Sequence, residues 1–137
     1  LCEEVAKRAR AKNYRGHTVS VGVRGANFDK PTGFHRQIKL TSPTNFGMDI
    51  FNATFKLFCK FWDGLPIRSV GVTLSQLQEA DFYQLDLFDP SIKKDQLSFA
   101  MDEIRLKFGP TAIVRAASLH SAGQVFDRAK KIGGHYK

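Results

Sequence analysis

The sequence predicts an α+β domain with an antiparallel sheet, helices packed on one face of the sheet and the other face open. Two patterns predict this fold. Several segments alternate valine with small polar residues, as half-buried strands do, and other segments place apolar residues at helical spacing. The chain has 137 residues, of which 42% are hydrophobic and twelve are phenylalanine, so it can bury the core of one domain with a tail.

The first part of the chain predicts a helix followed by two strands. Residues 2–13 are rich in helix-forming residues. Residues 17–24 and 34–41 then alternate between apolar and polar side chains. Arg36 falls on the apolar side of its strand, so we expect it near a strand end or at a sheet edge. The positions that should face the core are Val19, Val21, Val23, Phe34, Ile38 and Leu40.

The strongest predicted helix covers residues 47–62, and Asp63-Gly64 should end it. Its aromatic residues recur at spacings of four, three and four, namely Phe51, Phe55, Phe58 and Trp62, and Ile50, Leu57 and Phe61 broaden the stripe. A stripe of this kind predicts a largely buried helix, so Phe51→Ala should cost about 3–5 kcal/mol through cavity formation. Cys59 lies on the same helix and should therefore be a core thiol, not a nucleophile.

The rest of the chain predicts a third strand, a loop, another helix and a tail. Residues 67–76 alternate like a strand, and residues 93–108 form a helix that Gly109-Pro110 should end. Residues 111–117 are compatible with a short edge strand. The expected organisation is a core of residues 1–76, a loop of residues 77–92, a helix and edge strand within residues 93–120, and a basic tail of residues 121–137.

Composition narrows the classes of function. A net charge of +8 and a pI of about 9.7 favour a polyanionic partner, although many basic domains use their charge for solubility alone. No apolar run is long enough to predict a membrane span. The two cysteines are too few for a disulfide framework and indicate a reducing compartment. The start, Leu-Cys-Glu-Glu, is typical of a fragment of a longer protein.

The side chains expected on the open face of the sheet are small, hydroxylated or basic. Hydroxyl groups and cations contact a phosphate backbone without reading its sequence. The lack of aromatic side chains argues against stacking of single-stranded bases on this face. An ordinary solvated face is the alternative, although it would usually include Asp or Glu. The open-face positions are Thr18, Ser20, Gly22, Arg24, His35, Gln37, Lys39, Ser69, Gly71, Thr73 and Ser75.

The segment Gln84-Leu85-Asp86-Leu87-Phe88 lies in a stretch without helical or strand periodicity. Exposed leucine and phenylalanine in a loop are costly unless something covers them. Two explanations remain open from the residues alone. The loop folds back on its own core, or it inserts Leu87 and Phe88 into a groove on another protein.

Three segments in order resemble the little-finger (polymerase-associated, C-terminal) domain of bacterial Y-family translesion DNA polymerases, the UmuC/DinB-like ImpB/MucB/SamB family. These are Val19 to Gly25, Gly33 to Gln37, and Ile67 to Val72, the last an Ile-Arg-x-x-Gly-Val strand after a hydrophobic helix. The resemblance covers about residues 1–120. It implies a DNA-binding accessory domain that holds template-primer duplex for a catalytic core elsewhere in the full chain.

The resemblance also implies partners, a compartment and site residues. Gln84 to Phe88 is similar to the peptide by which bacterial polymerases dock on the β sliding clamp, with Leu87 and Phe88 filling its apolar pocket. The parent chain would be a Mg²⁺-dependent DNA polymerase of the SOS response, acting in DNA repair on damaged DNA in the bacterial cytoplasm at the nucleoid. The strand positions that match the family's DNA-contacting strands are Arg36, Lys39, Arg68, Ser69 and Thr73. Together with the open-face residues, the full set of expected DNA contacts is Thr18, Ser20, Arg24, His35, Arg36, Lys39, Arg68, Ser69, Thr73 and Ser75.

One departure from the family concerns the sheet, because a little finger begins with a strand ahead of its first helix and that strand is missing from this sequence. Either the segment was lost, or residues 111–117 occupy the exposed edge, or a second molecule does. An unpaired edge favours dimerisation or strand exchange.

A complete catalytic site is not predicted. The acidic residues of the second half lie in a loop or on an exposed helix face, and the four histidines are scattered without zinc spacing. We therefore expect no cofactor for this chain. Two other functions remain as alternatives. One is a protein-interaction adaptor that uses Gln84 to Phe88, and the other is a small basic hydrolase, which Mg²⁺- or Mn²⁺-dependent DNA cleavage would reveal.

Overall fold

A computed structural model of the chain describes residues 1–27, 29–30, 32–80, 91–132 and 135–136. The chain divides into two compact units, Leu1–Asp86 and Leu87–Lys137. The first unit contains, in order, α1 (Cys2–Ala11), β1 (Tyr14–Gly25), β2 (Gly33–Thr44), α2 (Gly47–Phe61) and β3 (Ile67–Glu79). The second contains α3 (Ser91–Phe108), a 3-10 turn (Ala116–Leu119), α4 (Val125–Ala129), β4 (Lys131–Ile132) and β5 (His135–Tyr136).

The main sheet has three antiparallel strands in the order β2-β1-β3. In its register Val19 lies opposite Ile38 and Leu74, and the neighbouring Ser20 lies opposite Gln37 and Thr73. Successive side chains of a strand point to opposite faces, so one face is apolar and the other is polar. The predicted α+β fold with an antiparallel sheet and packed helices is confirmed.

The core forms between the apolar face of the sheet and the two helices. Val19, Val21 and Ile50 are fully buried, and α1 contributes Ala6. A second cluster joins Val23 and Leu57 to half-buried rings that include Phe34 and Phe58. Complete burial of an aliphatic side chain stabilises the fold by about 1.5–3 kcal/mol, so the strand valines and the buried face of α2 account for much of the stability of this unit.

Polar contacts attach the start of α2 to the strand before it and to α1. The backbone N–H of Phe46 donates to Thr44 Oγ1 at 3.0 Å, and Thr44 Oγ1 donates to Asp49 Oδ2 at 2.8 Å. A side chain at Gly47 would overlap the carboxylate of Glu3. Glycine therefore lets an acidic residue of α1 approach the positive end of the α2 dipole.

The structure overturns the expectation that the aromatic stripe of α2 is buried. Phe51 is 44% exposed and Phe55 is 54% exposed, whereas the buried positions are Ile50, Ala53, Thr54 and Leu57. Both stripes have helical spacing, and the sheet covers only one of them. Cys59 is exposed as well, so the prediction of a core thiol is wrong.

Arg36 occupies the position expected for a charged residue on the apolar side of a strand. It lies on β2, an edge strand, and its guanidinium carbon sits 4.8 Å from the centre of the Phe61 ring. The side chain covers apolar surface while its charge remains near solvent.

The second unit differs from the sequence prediction in two places. Residues 111–113 form a turn and bend and Ala116–Leu119 form a 3-10 turn, so the edge strand predicted for residues 111–117 is wrong. The tail also contains α4 and the paired strands β4 and β5. The Gln84 to Phe88 segment lies outside the described residues. Within the described part, no helix has the length and apolar character needed to cross a membrane.

The burial pattern of α2 gives a matched pair of substitutions. Ile50→Ala should lower the free energy of unfolding by about 2–5 kcal/mol, because it leaves a cavity against β1. Phe51→Ala should cost less than about 1 kcal/mol, because a substantially exposed ring leaves little cavity. Urea denaturation of both variants beside the parent protein measures the difference, and equal losses would contradict this orientation of α2.

Candidate nucleic-acid interface

The open face of the sheet consists of four cross-strand rows. Each row takes one residue from β2, one from the central strand β1 and one from β3. The rows are Gly33-Arg24-Ser69, His35-Gly22-Gly71, Gln37-Ser20-Thr73 and Lys39-Thr18-Ser75. None of these positions, all of which the structure describes, is acidic. The predicted outward positions therefore do share one face.

A shallow trough crosses this face where two glycines pair. Gly22 lies opposite Gly71, and a side chain added at Gly71 would meet nothing within 4 Å. A Cβ at Gly22 would lie 3.3 Å from His35 Cδ2, so the imidazole leans over the trough from β2. A depression of about 520 Å³ includes both glycines, and its lining combines Arg24, His35 and Ser69 of the open face with Val23, Phe34 and Val70 of the alternate positions.

Basic side chains stand at both ends of the face. Arg24 is exposed beside the trough, and Lys39 is exposed two rows past the glycine pair. Ser69 and Thr73 present exposed hydroxyl groups from β3. The arrangement offers cations and neutral hydrogen-bonding groups to a ligand, with open backbone between them.

The sequence profile of the impB/mucB/samB family C-terminal domain matches residues 1–87. The chain belongs to this family. It is a little-finger domain of the Y-family DNA polymerase IV type, as the three strand motifs indicated.

Relatives that match this chain along its whole length agree with the assignment to the little-finger family. The chain is 56% identical, over all 137 residues, to DNA polymerase IV 2 of Bacillus subtilis, and 53% identical to DNA polymerase IV 2 of Halalkalibacterium halodurans. It is 43% identical over 136 residues to the putative UV-damage repair protein UvrX of Bacillus subtilis. The chain spans about a third of each relative, 33% or 34% of its length.

Two of the expected contact residues of the little finger are less accessible than the sequence implied. Thr18 is 5% exposed and Ser20 is 7% exposed, because both lie on the central strand with a neighbouring strand on each side. Thr18 Oγ1 also donates to Gln76 Oε1 at 2.9 Å. Their role as DNA contacts stays a prediction, and this burial leaves little of either side chain accessible. Ser75 is half-buried, and its hydroxyl lies 3.5 Å from the Thr18 carbonyl oxygen.

The two arginines taken from the family pattern do not sit in the rows of the open face. Arg36 lies on the helix-facing side of β2 and donates from Nη1 to the His35 carbonyl at 2.9 Å. Arg68 lies where the β1–β3 register shifts between Arg24 and Gly25, and it is exposed there. An irregularity of this kind redirects side chains at the end of a strand, so simple alternation could not place Arg68.

Three open-face residues of the little finger were missing from the predicted contact set. Gly22 and Gly71 form the trough, and Gln37 stands between the two basic ends. Alternation along the strands placed all three outward, but only the pairing register shows that the glycines meet. Among the described residues, no three His, Cys, Asp or Glu side chains come close enough together to hold a metal ion.

Proposed function

We propose that this domain binds duplex DNA through its phosphate backbone on the open face of the sheet, as an accessory domain of an error-prone translesion polymerase. The observation that supports this most is the face itself, where Arg24 and Lys39 flank a glycine trough and no acidic side chain intervenes. A polyanion is attracted to such a face, and the trough lets its backbone approach the sheet closely.

The contacts available on this face favour binding without sequence selection. The central strand pairs on both sides, so its backbone N–H groups are engaged in the sheet. Phosphates would then be met by side chains, with Arg24 and Lys39 as charged donors and Ser69 and Thr73 as hydroxyl donors. None of these groups needs to reach a base edge. An accessory domain that must slide along any sequence requires this kind of contact.

The catalytic part belongs to the larger protein in this proposal. The relatives named DNA polymerase IV are about three times as long as this chain, which covers 33% or 34% of them. We place DNA-directed polymerisation and its Mg²⁺ ions in the remaining two thirds. In this proposal the domain holds the template-primer duplex and catalyses no reaction itself.

Docking on the β sliding clamp through Gln84 to Phe88 is the second part of the proposal. It rests on the sequence of the pentapeptide and on the family membership of the chain. The adaptor alternative uses the same peptide with an unrelated partner and treats the basic charge as incidental.

Charge reversal tests the DNA-binding face. Arg24→Glu and Lys39→Glu should each weaken binding to random-sequence duplex and reduce the slope of log affinity against log salt by about 1, because one phosphate contact is lost. Fluorescence anisotropy at several salt concentrations measures both quantities. Lys93→Glu is the control, since it makes the same charge change on an exposed position of α3. If all three variants lose affinity equally, net charge and not this face governs binding.

Filling the trough tests whether close approach of the DNA backbone to the sheet contributes to affinity independently of charge. Gly71→Val adds no charge, and the position has space for a side chain. Valine also suits a strand, so the melting temperature should stay within a few degrees of the parent value. Duplex affinity should nevertheless fall, because the added methyl groups hold the phosphate backbone away from the sheet. Unchanged affinity in a folded Gly71→Val protein would show that DNA does not enter the trough.

Clamp docking is tested with a Leu87→Ala/Phe88→Ala double variant beside the parent protein. Binding to a purified bacterial β clamp, followed by surface plasmon resonance, should be abolished in the variant while duplex affinity is retained. A protein that binds DNA but never the clamp would remove this part of the proposal. Retention of clamp binding by the double variant would place the docking residues elsewhere.

Self-association through a sheet edge is a further expectation. Among the described residues no strand pairs with the outer side of β3, and the apolar side chains of Val70 and Leu77 are exposed on that strand. Sedimentation velocity at rising concentration should show a dimer, and Val70→Lys should abolish it because a lysine on an edge strand opposes pairing. A monomer at all concentrations would contradict pairing through this edge.

A further inference from the structure

A row of aromatic side chains lies exposed along α2 and on the residue that caps its end. We call Phe51, Phe55 and Trp62 the aromatic ridge. They are 44%, 54% and 44% exposed. The Phe51 and Phe55 rings stack with their centres 5.6 Å apart, and the Trp62 ring stacks on the half-buried Phe58 ring at 5.1 Å. Eleven residues separate the ends of the ridge, a length of about 16 Å along the helix axis.

The ridge is not required for the core of the first unit. Ile50, Ala53 and Leu57 already fill the space between α2 and the sheet. Exposed apolar side chains are common when they stand alone, whereas exposed rings gathered into one patch mark a candidate binding surface. The Trp62 indole is also held in place, because Nε1 donates to the Leu65 carbonyl oxygen at 3.0 Å.

The charges around the ridge favour an anionic ligand. Lys56 and Lys60 are exposed on the same helix, and the Lys60 ammonium lies 5.5 Å from the centre of the Phe61 ring. The acidic residues of this region stand at the two ends of the helix, away from its middle. Asp49 accepts a hydrogen bond from Thr44 Oγ1, and Asp63 accepts one from the backbone N–H of Leu65 at 3.0 Å. The exposed middle of the helix is therefore aromatic on one side and cationic on the other.

We propose that the aromatic ridge binds single-stranded DNA, with bases stacking on Phe51, Phe55 and Trp62 and phosphates held by Lys56 and Lys60. Proteins that bind single strands without sequence preference combine two components, aromatic rings that stack on bases and cations that contact phosphates. Duplex DNA is excluded from this surface, because its bases already stack on each other. The helices pack on the apolar face of the sheet, so the ridge and the trough lie on opposite sides of the unit. The proposal is independent of duplex binding on the open face.

Trp62 provides a direct readout, because it is the one tryptophan in the chain. Titration with a short oligothymidine should quench its fluorescence as a base stacks on the indole. Added salt should reverse the quenching, since phosphate contacts release counterions. A duplex of the same length should quench much less at equal occupancy, which anisotropy of a labelled strand reports.

Variants test each component separately. Phe55→Ala should weaken oligothymidine binding on the order of tenfold, the effect of removing one stacking ring. Phe126→Ala, which removes another exposed phenylalanine from α4, should have no effect. Lys56→Gln/Lys60→Gln should reduce the salt dependence while leaving the melting temperature unchanged. Arg24→Glu, on the other side of the sheet, should leave Trp62 quenching by oligothymidine intact.

Three outcomes would overturn the proposal. Trp62 fluorescence that stays constant while anisotropy shows saturation would place the single strand elsewhere. Equal oligothymidine affinity of the parent protein and a folded Phe55→Ala variant would exclude stacking on the ridge. A Trp62 signal that depends on protein concentration and not on DNA would identify a second copy of the chain as the occupant.

Discussion

The pairing register of β1 with both of its neighbours is the constraint on which the rest of the first unit depends. Val19, Val21 and Val23 point to the helices only because β2 and β3 meet this strand as they do. A shift by one residue would send these valines to solvent and the polar row into the core. The same register brings Gly22 opposite Gly71. Core and trough are therefore two consequences of one alignment of strands.

The sequence predicted the strands and the identity of each face, because alternation has a period of two and needs no tertiary information. It could not predict how deeply an outward residue lies. Thr18 and Ser20 are outward yet buried, since their exposure depends on side chains from two other strands. The same limit applies to α2, where two apolar stripes have helical spacing and only packing decides between Ile50 and Phe51. Residues 111–117 have strand-like composition but no partner strand in the described part of the chain.

The family assignment and the structure give different information about this domain. The profile match and the relatives named DNA polymerase IV identify the kind of domain, and the chain spans a third of those relatives. The structure adds the distribution of groups over its surface, with a basic, glycine-rich face on one side of the sheet and exposed rings on the other. Our two proposals assign these unlike surfaces to two different forms of nucleic acid, duplex on the sheet and single strand on α2.

The closeness of Glu3 to Gly47 has a consequence for how the unit tolerates change. The first turn of α1 supplies a negative charge to the start of α2, and Cys2, also in that turn, lies with its Sγ 3.8 Å from Thr54 Oγ1. Trimming a few residues from the beginning of this chain would therefore remove support from a helix more than forty positions away in sequence. Any side chain placed at Gly47 would likewise have to displace the Glu3 carboxylate before it could pack.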